Sequence, residues 1–280
     1  MDCHHRLVGV VGSTEQVAGL SLRERTVGPA LGRFGFVHAG VWCAVDFRLP
    51  RRSTPAVPAE TLSRYRVSER YGRDVYRAAG PWAHRGRPEL RARRARRRHR
   101  DLETALSEAG YALADIDAVV ISHLHLDHAG GLRHFEGTDV PVYVHRRELE
   151  FAYLSAKTDV GSVAYWAPDF DRDLNWRVVE GDRQLYEGFD LLHLPGRTPG
   201  LLGATVEAGD DTVLVAGDEV YMEANYEAGQ SMAVSLLWDN RAWAESLERL
   251  RDVERRTGAD VLLGHDPTMV ERFGDGWNRD

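Results

Sequence analysis

Residues 122–131 read Ser-His-Leu-His-Leu-Asp-His-Ala-Gly-Gly. Three histidines and an aspartate fall within six positions, directly after the apolar run Asp117–Ser122 and before two glycines. A buried polar group without a partner costs about 1–3 kcal/mol. Such a cluster is therefore either a solvated loop or a set of ligands gathered around a positive charge. His123 and His125 are two residues apart, so an extended backbone points both to one side. Asp127 and His128 follow where Gly130 and Gly131 let the chain turn.

Two later stretches repeat the same design. "VLVAGD" ends on Asp218, and "VLLGHD" carries His265 just past its apolar run. Strand ends hold side chains rigidly, as a metal site demands. Imidazole and carboxylate ligands together suit Zn²⁺, with Fe²⁺, Mn²⁺ and Co²⁺ as alternatives. Cys3 and Cys43 are the only cysteines. They are too few for a disulfide framework and are expected as reduced thiols in a cytoplasmic protein. The metal candidates are therefore His123, His125, Asp127, His128, Asp218 and His265.

Around this cluster the chain alternates strands and helices. "VPVYVH", "NWRVVEG", "QLYEGFDLLHLPG", "LLGATVEAGDDTVLVAGD" and "DVLLGHD" read as strands, with Gly-Asp-Asp turning between two of them. "RRELEFAYLSA" reads as a helix. So does "RAWAESLERLRDVERRTG", with Trp243, Leu247, Leu250 and Val253 at helical spacing and Gly258 as its stop. This pattern predicts an α/β layered domain. Earlier, "LVGVVG" and "HAGVWCAVDF" suggest strands. "PELRARRARRRHRDLETALSEAG" suggests a helix opening at Pro88 and closing at Gly110.

Residues 51–100 hold 16 arginines against four acidic residues, so the rest of the chain is more acidic than the overall charge of −7 shows. An acidic body is a poor nucleic-acid binder. The Arg-rich segment near residues 85–100 has no interleaved aromatics to stack on bases, so a solvated helix or linker is the expected reading. The start, "MDCHHRLVGVVGSTEQ", does not read as a secretory signal, and no apolar run reaches the roughly 18–20 residues of a membrane span.

From Asp115 to Asp266 the chain resembles the metallo-β-lactamase superfamily of metallohydrolases. The resemblance implies a four-layer αββα sandwich, read here as a single domain over 1–280 with residues 1–100 divergent. It implies a first metal on His123 and His125 and a second on Asp127, His128 and His265, with Asp218 bridging them. Within the superfamily, "GDEVYMEANYE" looks most like the N-acyl homoserine lactonases, and Tyr221 matches their lactone-binding tyrosine. The implied reaction is hydrolytic opening of a lactone by water made nucleophilic at the metal, with Asp127 relaying a proton and Tyr221 steadying the oxyanion. The implied partner is a small lactone or ester substrate, with no membrane and with a homodimer left open. Thioester, β-lactam and RNA hydrolysis are the rival chemistries on the same core, and a noncatalytic metal-binding relative is the remaining alternative.

Two departures stand out. Where the family pattern has a histidine in "PGHTPGH", this chain has "PGRTPGL", placing Arg197 there. A guanidinium stays protonated and has no lone pair to donate. Two ions could still bind, or one ion could sit at Asp127, His128, Asp218 and His265 with Arg197 supplying charge and substrate contact, or His193 could replace the missing ligand. Two ions are the expectation. The early Asp-Thr-Gly of the family is also missing; "WCAVDFRLP" offers only Asp46. Trp166, Phe151 and Met222 are candidates for an apolar substrate pocket, although core or loop packing would account for each.

Overall fold

The computed structural model describes residues 8–11, 33–38 and 41–46 as backbone. It describes residues 102–108, 111–158, 160–208, 211–266 and 268–269 more fully. The Arg-rich segment and the start of the helix expected from Pro88 lie outside the described residues. The chain divides into two compact units, residues 1–49 with 100–280 and residues 50–99; every element below belongs to the former.

Two sheets carry the fold. The first has the order β3-β2-β1-β4-β5-β6, with β1 (Val8–Val11), β2 (Arg33–His38), β3 (Val41–Asp46), β4 (Ala118–Ile121), β5 (Pro141–His145) and β6 (Asn175–Val179). β1, β4, β5 and β6 run parallel, and β2 pairs parallel with β1 but antiparallel with β3. The second sheet has the order β11-β10-β9-β8-β7, with β7 (Arg183–Tyr186), β8 (Phe189–His193), β9 (Leu202–Ala208), β10 (Asp211–Gly217) and β11 (Asp260–Leu263). It is antiparallel except for the β10–β11 pair.

β4 shows why the sheets stack. Ala118 and Val120 pack into the core shared with the second sheet, while Val119 and Ile121 pack into a separate core on the other face. A strand buried on both faces must be apolar without interruption, which explains the run Ala-Val-Val-Ile. The outer core is closed by α1 (Leu102–Glu108), α2 (Arg146–Lys157) and α3 (Ala167–Phe170), through Leu102, Leu106, Ala152 and Phe170. The inner core takes Phe189, Leu191, Val206, Val213 and Val215 from the second sheet.

A fourth layer comes from α5 (Asn240–Thr257), which follows the short α4 (Glu223–Glu227). Trp243, Leu247, Leu250 and Val253 of α5 are buried, as the helical spacing predicts. Asp239 caps its start by accepting from Ala242 N at 2.7 Å. Gly258 ends it in the left-handed region at φ 66°, its N–H donating to Glu254 O, a conformation glycine reaches at little cost. The result is the expected αββα sandwich. Among the described residues, no helix is long and apolar enough to cross a membrane.

Candidate metal centre

Four strands deliver the site from their C-terminal ends. β4 leads into His123, His125, Asp127 and His128; β8 leads into Arg197; β10 leads into Asp218; β11 leads into His265. Backbone hydrogen bonds lock these loops together, within the second sheet and between the two sheets. Leu202 N donates to Ser122 O at 2.9 Å, and His265 N donates to Tyr221 O at 2.9 Å. The approach of β11 to β10 is so close that a Cβ on Gly264 would stand 2.6 Å from Gly217 O and 3.2 Å from Asp218 Oδ1. Only glycine fits there, and the tight contact fixes the height of His265 against Asp218.

The six candidates converge. His123 Nε2 lies 3.3 Å from Asp218 Oδ2, and His128 Nε2 lies 3.2 Å from Asp218 Oδ1. His265 Nε2 is 3.1 Å from the same Oδ1, and Asp127 Oδ2 is 3.7 Å from His128 Nε2. The His125 ring stands 4.6 Å from that of His123, centroid to centroid. His123, His128 and Asp218 form one close group of ligand atoms, and Asp127, His128 and His265 form another.

The donor set fits a divalent cation. His123 Nε2 and both ring nitrogens of His125 and His128 are buried with no hydrogen-bond partner. Asp218 oxygens lie 3.3 Å from His123 Nε2 and 3.2 Å from His128 Nε2 without forming a hydrogen bond. Five orphaned nitrogens in one small volume would be costly in any protein whose site held only side chains. The electrostatics agree. Burial, then the neighbouring His128, lowers the pKa of His123 to about 4. Burial, then His123, holds His125 well below its ordinary value. Neutral imidazole is the ligating form. Burial works against ionisation of Asp218, yet His128 and His123 outweigh it and hold the carboxyl well below its usual range. For His128, burial is likewise outweighed, here by Asp218 and then Asp127, and its pKa rises.

Arg197 does not turn away from the cluster. Only 9% exposed, it places Nε 3.5 Å from Asp218 Oδ2. Its Nη1 donates to Leu236 O and its backbone N to Glu219 Oε2 at 3.2 Å. Its guanidinium carbon lies 5.7 Å from the centre of the Tyr221 ring. His193 stays apart: it stacks on His145 with ring centroids 3.8 Å apart, and its Nε2 lies 3.0 Å from Pro199 O. Tyr221 packs 4.3 Å from the His265 ring. Burial, followed by the Asp218 charge, pushes its phenol pKa upward, so it remains a donor at neutral pH.

The sequence reading did not single out Glu148. This carboxylate is fully buried on α2. Its Oε1 accepts from Leu124 N at 2.8 Å and from the Tyr165 hydroxyl at 2.9 Å, and its Oε2 from the Thr198 hydroxyl at 2.5 Å. It thereby ties the histidine loop after β4 to the loop that carries Arg197. Tyr165 in turn bridges to His125, their ring centres 4.5 Å apart. Burial raises the Glu148 pKa even against these bonds. Glu148 and Ala152, one turn apart, are the buried positions of α2. Glu148→Ala leaves three donors without their acceptor, so we expect a loss of about 3 kcal/mol or more. The midpoint of urea unfolding at unchanged slope measures it.

Of the pocket candidates, Phe151 packs beside the outer core with its ring edge toward Tyr165. Trp166 and Met222 are 43% and 47% exposed, next to Tyr165 and Tyr221 respectively.

An αββα sandwich with histidines and aspartates gathered at the C-terminal ends of its strands is the architecture of a metal-ligating hydrolase fold. The family model of the metallo-beta-lactamase superfamily matches residues 79–265, and the chain belongs to that superfamily. It is 35% identical over 164 residues to an N-acyl homoserine lactonase of a Bacillus species, covering 58% of this chain and 60% of the relative. It is 31% identical over 169 residues to the N-acyl homoserine lactonase AttM of Azorhizobium caulinodans, covering 57% and 62%. The chain thus spans about 60% of the length of these curated relatives. Among solved structures it resembles a Bacillus thuringiensis AiiA variant with N-decanoyl-L-homoserine bound at the active site, with a TM-score of 0.53 and 29% identity over 61% of this chain and 64% of that one. An N-acyl homoserine lactone hydrolase with the product N-hexanoyl-L-homoserine at its catalytic metal center matches with the same TM-score, identity and coverage.

Proposed function

We propose that this chain is a metal-dependent hydrolase that opens the lactone ring of N-acyl homoserine lactones. The observation that carries the reading is the convergence of His123, His125, Asp127, His128, Asp218 and His265, with the Tyr221 phenol packed beside His265. Ligands for a divalent cation would come from among these six side chains. Zinc is the ion their nitrogen and oxygen donors suit best. When bound, a divalent cation lowers the pKa of water to roughly 7 and polarises a carbonyl oxygen.

The chain's own residues supply the rest. Tyr221, protonated at neutral pH, donates to the oxygen on which negative charge develops as the ring carbonyl is attacked. Asp127, with its side chain 26% exposed at the edge of the cluster, takes the proton released by the attacking water and passes it to the departing ring oxygen. Arg197 offers the substrate a fixed positive charge. Its position beside Tyr221 and Asp218 supports that role.

The acyl chain has apolar surface to lie on. Leu126, Trp166, Met222, Val234 and Trp238 are large apolar side chains left exposed. Leu126 lies between His125 and Asp127, and Met222 follows Tyr221. Trp238 N donates to Gly196 O and Arg197 O, and Val234 opens the turn whose Leu236 carbonyl holds Arg197. Exposed apolar groups scattered singly mean little; the chain positions of Leu126, Met222, Val234 and Trp238 next to site residues are what support an apolar contact surface here. The ligands named for the two lactonase structures, decanoyl and hexanoyl homoserine, support an acyl-homoserine substrate.

The test is to incubate the zinc-loaded protein with N-hexanoyl- and N-decanoyl-homoserine lactone and to follow ring opening by proton release and by the mass gain of one water. Turnover that stops on chelation and returns on adding zinc is the expected result. Full zinc occupancy with no opening of either lactone overturns the reading.

A further inference from the structure

The two oxygens of Asp218 face different company. Oδ1 has His128 Nε2 at 3.2 Å and His265 Nε2 at 3.1 Å, with Asp127 Oδ2 3.7 Å from the same His128 nitrogen. Oδ2 has His123 Nε2 at 3.3 Å and Arg197 Nε at 3.5 Å. The Oδ1 side therefore gathers two carboxylates and two imidazoles, and the Oδ2 side gathers one imidazole and a guanidinium.

We propose that the chain holds a single tightly bound divalent cation, on Asp127, His128, His265 and Asp218 Oδ1, and that the Arg197 guanidinium takes the place of a second ion at Asp218 Oδ2. The inference rests on the metal-site reading above and deepens it. A guanidinium brings charge but no lone pair, so it neutralises Oδ2 without completing a ligand shell. Arg197 is also held in place: its backbone N is bound to Glu219, its Nη1 to the Leu236 carbonyl, and Tyr221 covers it at 5.7 Å. An ion entering beside Oδ2 would meet this fixed like charge where water screens poorly.

Access points the same way. The His123 and Asp218 side chains are fully buried, whereas those of His265 and Asp127 are 23% and 26% exposed. A catalytic metal keeps one position open to water or substrate, and among the described residues the Oδ1 side is the more exposed of the two. The buried nitrogens of His123 and His125 then stay outside the ion's ligand set.

Calorimetric titration of the metal-free protein with Zn²⁺, paired with metal analysis after desalting, tests the inference without any turnover assay. The wild-type chain is expected to take one equivalent tightly, with any second at least roughly 100-fold weaker. Arg197→His, which exchanges the charge for a ligand, is expected to take two. Arg197→Gln removes the charge without adding a ligand, and should tighten the weak second step about tenfold. His265→Ala should lose the tight equivalent, and His125→Ala should keep it. Two equivalents of comparable affinity in the wild type, or a single one in Arg197→His, overturns the inference and leaves the hydrolase reading standing. No bound zinc in the wild type overturns both.

Discussion

Asp218→Asn should strip the protein of tightly bound zinc and slow lactone opening by about a thousandfold. The carboxylate stands at the end of β10 and is approached by four separate groups, His123, His128, His265 and Arg197. Asparagine preserves the shape but replaces a charge shared among them with a neutral amide, one end of which can only donate. Arg197 is then left buried beside a neutral group. Several kcal/mol of transition-state stabilisation is what a metal supplies to such a reaction, which converts to about three powers of ten in rate. Metal analysis of the desalted variant and initial rates under zinc resupply measure the two losses separately. A variant that retained full metal content would show that Asp218 is not a metal ligand.

Tyr221→Phe should lower kcat by about a hundredfold while leaving metal content unchanged. The ring makes the packing contacts, against His265 at 4.3 Å and under Arg197, and phenylalanine keeps both. Only the hydroxyl is lost. Removal of one oxyanion donor typically costs 10²–10³ in kcat. Because burial and the Asp218 charge raise the phenol pKa, the wild-type rate should show no alkaline fall from Tyr221 near neutral pH. An unchanged kcat would remove the residue from its assigned role. A fall in zinc content would mean instead that the phenol supports the ligands.

The elements that position this site were readable because each is governed by a local rule. β4 is an unbroken apolar run because both its faces are buried, and α5 shows its buried stripe and glycine stop in plain sequence. The cluster at 123–128 concentrates more imidazole than a loop needs. What the sequence conceals depends on contacts distant along the chain. Glu148 looks like any solvated acidic residue on a helix until Thr198 is brought against it from 50 residues away. Likewise, "PGRTPGL" reveals a missing ligand but not the direction of Arg197, which is set by Leu236 and Glu219. His193 looked available as a substitute, yet the partner that occupies it, His145, lies on a strand of the other sheet.

β4 divides two hydrophobic cores and ends in the histidine loop. Its height is therefore set by pressure from both sides, and interiors packed this densely transmit small volume changes rather than absorb them. Trimming or enlarging side chains deep in either core would act as an adjusting screw on the ligand geometry. Laboratory evolution of this chain toward other substrates could thus retune its chemistry from positions that touch neither ligand nor ion.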